Sequence, residues 1–111
     1  MTNATTRFFE RLAARGHEPR LAKVRASLRF DLENGKKRNR WHVAVAKGEI
    51  AVSHKNARAD CIVRADSSVF DGIASGEVNP VAAVLRGAID IEGDPELLML
   101  LLRRSPAPGR E

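Results

Sequence analysis

The sequence has one cysteine, no tyrosine, one tryptophan and nowhere more than six apolar residues in a row. A lone Cys61 cannot close an internal disulfide, and with three scattered histidines it matches no zinc-ligand spacing. No metal and no cofactor are therefore expected. The longest apolar run, Leu97 to Leu102, falls far short of the roughly 20 residues that cross a bilayer, and the first residues carry no secretory apolar core. A cytoplasmic location is the expectation. With a single tryptophan and no recognisable reader motif, nucleic acid is not an expected partner.

Across 111 residues, 43% are hydrophobic and 30% charged, which suits one soluble globular domain. Nineteen basic against fourteen acidic residues give +5. The sum hides a gradient: residues 1–59 carry +9 and residues 60–111 carry −4. Such asymmetry suits nucleic acid, an anionic lipid surface or an acidic partner protein, and does not choose among them.

Apolar residues at helical spacing, Phe8, Phe9, Leu12 and Ala13, predict an amphipathic helix over 5–15 that Gly16 stops. Residues 24–33 alternate with period two, Val24, Ala26, Leu28, Phe30 and Leu32 against Arg25, Ser27, Arg29, Asp31 and Glu33, as in a strand with one wet face. Asn34-Gly35 supplies turn chemistry, with the basic run over 36–40 either lengthening the connection beyond a two-residue hairpin or extending the strands past the body; a second strand carrying Trp41, Val43 and Val45 follows, and Lys47-Gly48 turns into a third over 49–54. These three form an antiparallel meander. A fourth strand spans 59–65. A helix then starts at Asp66 or Ser67, with Ser68 and Asp71 at capping-box spacing, and ends at Gly76. Asn79-Pro80 opens another helix whose expected core face is Val81, Val84 and Leu85. A fifth strand covers 88–92, and Asp94-Pro95-Glu96 starts a last helix through Arg104. One domain over 1–104 and a frayed tail over 105–111 follow.

Phe70, then Gly76-Glu77-Val78-Asn79-Pro80, then Gly87-Ala88-Ile89-Asp90-Ile91-Glu92-Gly93-Asp94 resemble the sterol carrier protein type 2 family, which has a helix ending in glycine, a proline-opened helix and a strand ending in Gly-Asp. The resemblance spans about residues 24–104. It implies an α+β fold with a five-stranded mixed sheet, the meander plus crossover strands, and helices layered on one face. It also implies a lipid-sized apolar tunnel between the layers.

The run Leu97-Leu98-Met99-Leu100-Leu101-Leu102 is apolar all round, so its helix needs cover on both sides. Either protein covers both, or one side lines a pocket for a hydrophobic guest. The candidate lining is Phe30, Leu32, Trp41, Val43, Phe70, Ile73, Val84, Leu85, Leu98, Leu101 and Leu102. An empty apolar cavity of about 300 Å³ would cost on the order of 7 kcal/mol, so an unliganded tunnel should be loose, collapsed or filled. A 16-carbon chain offers roughly 12 kcal/mol gross on burial. Lys36, Lys37, Arg38 and Arg40 are candidates for transient contact with an anionic membrane surface. Cys61, His17, His42 and His54 sit on separate elements, and Asp90, Glu92 and Asp94 alternate too closely for an acid and base pair, so no enzyme activity is expected. The expected function is carriage of a lipid-like molecule of fatty acyl, sterol or isoprenoid type. The alternative is an interaction module, including a homodimer, with no ligand of its own.

Overall fold

The computed structural model describes residues 4–104, without the side chains of residues 20, 100, 103 and 104. The tail expected over 105–111 lies outside the described residues. Strands β1 (Arg25–Asn34), β2 (Lys37–Ala46) and β3 (Glu49–Ser53) form the meander, and β4 (Cys61–Asp66) and β5 (Ile89–Gly93) complete one sheet of order β3-β2-β1-β4-β5. β4 runs parallel to β1, and the other neighbours are antiparallel.

The period-two alternation sets which face is apolar. Leu28 lies beside Val43 and Cys61, and Phe30 beside Trp41 and Val63, so successive rows of one face carry only apolar side chains. The opposite face holds Ser27, Arg29, Asp31 and Glu33, yet Asp31 and His42 on it are buried. Two things cover them. The connection 54–60 carries the chain from the β3 edge to β4 across this face, where the Arg58 carbonyl lies 3.2 Å from His42 Nε2 and Asp60 exchanges hydrogen bonds with Ser27. Arg29 and Arg40 each reach Asp31 at 3.2 Å.

Helix α1 (Ala4–Arg15) buries Phe8, Phe9, Leu12 and Thr5. Ala13, expected beside them, is exposed. The backbone N–H of Thr5 and its hydroxyl both donate to Asp71 Oδ1 on α2 (Ser67–Ser75), which sets a carboxylate at the start of α1 and ties the two helices together. Asp71 is therefore not the capping-box partner of Ser68 that its spacing suggested. Gly76 closes α2 in the left-handed conformation, and Asn79 Oδ1 accepts the Ala82 N–H at 3.0 Å to open α3 (Pro80–Leu85).

The expected core face of α3 needs correction. Ala83 is the buried residue, Val84 is half-buried, and Val81 and Leu85 are 51% and 82% exposed. Residues 81 and 85 lie one turn apart, each about 200° around the helix from 83, so turning Ala83 inward turns both outward. At the end of β5, Gly93 has φ +101 and sits opposite Cys61; a Cβ there would fall 2.1 Å from the Asp60 carbonyl oxygen. The Gly-Asp strand end is thus a close approach of two backbones that only glycine permits. Asp94 then caps α4 (Pro95–Arg104) by accepting the Glu96 N–H at 2.9 Å.

Candidate functional site

The layer between sheet and helices has two differently built ends. Under α1 and α2, five aromatic rings interlock. Phe9 stacks on Trp41 with centroids 4.4 Å apart and meets Phe30 edge-on at 5.1 Å, while Phe70 lies 5.4 Å from Phe30 and 5.6 Å from Phe8. His54 tilts against Trp41 at 4.1 Å. Edge-on and offset rings fit rigid shapes together and leave little slack.

The other end lies under α4, which packs on β1 and β4. Leu98 and Leu101 are buried and Leu97, Met99 and Leu102 half-buried, so the apolar helix finds its cover partly in the sheet. Leu97 and Leu101 face Leu21, Val24, Ala26, Leu28 and Val45 across an apolar seam. Leu21 is delivered by a 3-10 turn (Pro19–Leu21), itself held where the Glu18 N–H donates to the Gly48 carbonyl at 2.7 Å. The cavity in the seam is about 10 Å³. That is room for one water and for no acyl chain. At about 24 cal/mol per Å³ such a gap costs well under 1 kcal/mol.

Of the candidate lining residues, Leu101 borders the seam, with Leu98 and Leu102 on the same helix. Val43 is buried in the row of the seam residue Leu28 without bordering the seam itself. Phe30, Trp41 and Phe70 belong to the aromatic cluster, Leu32 and Ile73 are buried, Val84 is half-buried, and Leu85 faces solvent. Sequence reasoning missed Leu21, Val24, Ala26, Leu28, Val45 and Leu97 as a group. The alternation of 24–32 puts Val24, Ala26 and Leu28 on the right face but does not say which rows α4 covers.

Titratable groups stand apart. Cys61 is fully buried, and burial first, then Asp94 and Asp60, pushes its thiol up to about 11. His17 Nδ1 lies 2.9 Å from Glu49, His54 Nδ1 lies 2.8 Å from the Arg40 carbonyl, and His42 is under the crossover. Among the described residues no three His, Cys, Asp or Glu side chains gather as a metal site, and no helix is long and apolar enough to cross a membrane. In the basic run, Arg38 pairs with Glu33 at 3.1 Å and Arg40 with Asp31, whereas Lys36 and Lys37 are exposed with no ion-pair partner among the described residues. This run lies at the hairpin end of β1, away from the seam.

An α+β sheet with helices layered over its apolar face defines the class, and sequence comparison places the chain within it. The profile of the SCP-2 sterol transfer family matches residues 7–103, so the protein belongs to that family. The same fold occurs in the sterol carrier protein domain 2 of Helicoverpa armigera, 23% identical with a TM-score of 0.75, covering 98% of this chain and 91% of that one. It occurs also in palmitated SCP2L2 of Aedes aegypti, 19% identical with a TM-score of 0.73 and full coverage of both chains. An inverting sec-alkylsulfatase from Pseudomonas sp. matches at 20% identity and a TM-score of 0.72, covering 90% of this chain. This chain spans only 16% of that sulfatase chain. Among curated proteins none matches.

Proposed function

We propose that the protein binds a lipid-like molecule reversibly by opening the seam between α4 and the sheet, and carries it without chemical change. The observation that supports this reading is a helix–sheet contact whose lining, among the described residues, is aliphatic on both sides, in a chain of the SCP-2 family. Aliphatic side chains on a helix can separate without breaking a hydrogen bond or ion pair. A hydrocarbon guest then replaces the lost contacts at about 0.8 kcal/mol per buried CH₂. The guest reaches from the half-buried Val24 and Leu97 past the buried Leu21 toward Val43, Leu98 and Leu102, and the aromatic cluster stays shut. Palmitate is the reference ligand, because a solved relative of this fold, sterol carrier protein 2 of Aedes aegypti, is in complex with it.

Among the described residues the seam lining is aliphatic, the Cys61 thiol in the row beside Leu28 stays protonated at neutral pH, and each histidine is engaged elsewhere. A reducing compartment suits the single buried thiol, and a cytoplasmic setting is part of the proposal. So is transient contact of Lys36, Lys37, Arg38 and Arg40 with anionic headgroups, at about 1 kcal/mol per charge near the surface. The test is solvent extraction of the purified protein with mass spectrometry, then thermal melting of delipidated protein against palmitate and a sterol. The reading predicts a melting temperature that climbs with the logarithm of ligand concentration. An empty extract and an unchanged melting temperature with every ligand would overturn it.

A further inference from the structure

We propose that the exposed face of α3, Val81 and Leu85, enters an anionic phospholipid surface alongside the basic hairpin. The inference rests on the headgroup contact proposed above and is independent of carriage in the seam. Two apolar side chains 51% and 82% exposed, one helical turn apart, form a small greasy foot that is open among the described residues. Exposure alone would not say what it meets. Strand register supplies the rest.

Glu33 of β1 pairs with Asp66 of β4, and Ala65 of β4 pairs with Ile89 of β5, so the end of β1, the end of β4 and the start of β5 share one rim of the sheet. The hairpin carrying Lys36 and Lys37 continues from β1 at that rim. Leu85, Arg86 and Gly87 immediately precede β5 at the same rim, held by the Ala88 N–H donating to the Ala83 carbonyl at 2.9 Å. One open groove is bordered by Glu33, Asp66, Gly87 and Ala88, spanning both parts. β1 and β5 are two strand spacings apart, roughly 10 Å.

The charges on the rim favour a polyanionic surface. The groove itself is also lined by Asp31, Arg64 and Asp90, but these carboxylates are paired, Asp31 with Arg29 and Arg40, Asp90 with Arg64 and Glu33 with Arg38, which leaves Lys36, Lys37 and Arg86 exposed without ion-pair partners among the described residues against an exposed Asp66. Cations beside protruding apolar side chains match the layered chemistry of a bilayer surface, phosphate outside and hydrocarbon beneath. A folded protein partner offers no such repeated layering, and the seam lies at the other end of β1. Docking and loading are thus separate events on separate ends.

The test compares binding to vesicles of equal phosphatidylglycerol and phosphatidylcholine with binding to phosphatidylcholine alone. The intact chain should prefer the anionic vesicles. Val81→Ser with Leu85→Ser should weaken binding about tenfold or more while leaving the melting temperature unchanged, and Lys36→Gln with Lys37→Gln about fivefold per lysine. At 1 M salt, where charge is screened within about 3 Å, residual binding of the unaltered chain should vanish in the serine variant. A Leu85→Trp variant should gain blue-shifted emission on adding anionic vesicles, a readout that does not depend on the serine variant folding. If the serine variant binds as well as the unaltered chain while the glutamine variant weakens, the α3 foot is overturned and the headgroup contact stands. If neither weakens, both fall. A concentration-dependent dimer that the serine changes abolish, with vesicle binding intact, would assign the face to a second copy and overturn the proposal.

Discussion

The aromatic end and the aliphatic end of the same layer are built for different tasks. Phe8, Phe9, Phe30, Phe70 and Trp41 lock α1 and α2 to the sheet through rings whose shapes tolerate little displacement. Leu21, Val24, Ala26, Leu28, Val45, Leu97 and Leu101 form the α4 contact through branched chains and one alanine. A carrier needs both: one region that keeps the sheet and helices in register, and another that parts for a guest without unfolding the rest.

The largest effect should come from the rigid end. Phe9→Ala, which removes the ring touching Trp41, Phe30 and Phe70 at once, should cost about 3–5 kcal/mol in urea unfolding. Leu97→Ala at the half-buried edge of the seam should cost about 1 kcal/mol, below the range for fully buried leucines. Equal losses would erase the contrast.

Next comes an alkaline effect at Cys61, in the row beside Leu28. The folded thiol titrates at about 11, above the ordinary 9.0, so between those values the unfolded chain releases its proton first. Stability from this group is therefore complete below pH 9 and declines as pH rises toward 11, by on the order of 2–3 kcal/mol. Cys61→Ala should flatten that slope in unfolding curves taken from pH 8 to 11, and an unchanged slope would assign the loss to another group.

Asp71→Ala, which frees α1 from α2 at the aromatic end, should cost about 1–2 kcal/mol and raise hydrogen exchange in the first turn of α1. Last comes Ala26→Leu, whose three added carbons exceed the free space of the seam and should cost about 1–2 kcal/mol as α4 is pushed from the sheet. Its signature is in function: palmitate affinity by calorimetry should fall while the fold persists.

The fold was readable where local chemistry leaves one choice. Alternation over 24–33 has a single apolar face, and Asn79-Pro80, Gly76 and Gly93-Asp94 punctuate helices and strands by backbone demands visible in the residues themselves. α3 was misread because all five residues from Val81 to Leu85 are apolar, so a six-residue helix presents no polar side to orient it; packing of Ala83 against β5 decides. Asp71 was misread because its partner, Thr5, lies 66 residues away. The same distance problem hides the seam. Its lining comes from the 3-10 turn, β1, β2 and α4, and no local pattern states that α4 covers the Val24 and Val45 rows instead of the Phe30 row.

Methyl NMR of selectively labelled leucine and valine during a palmitate titration tests the central claim most directly. The account predicts that Leu21, Val24, Leu28, Val45, Leu97 and Leu101 shift first and most, that Val43 and Leu98 follow, and that the ring protons of Phe9 and Phe70 hold their positions. Saturation of binding with the seam methyls unmoved, or with the aromatic cluster carrying the shifts, would contradict it.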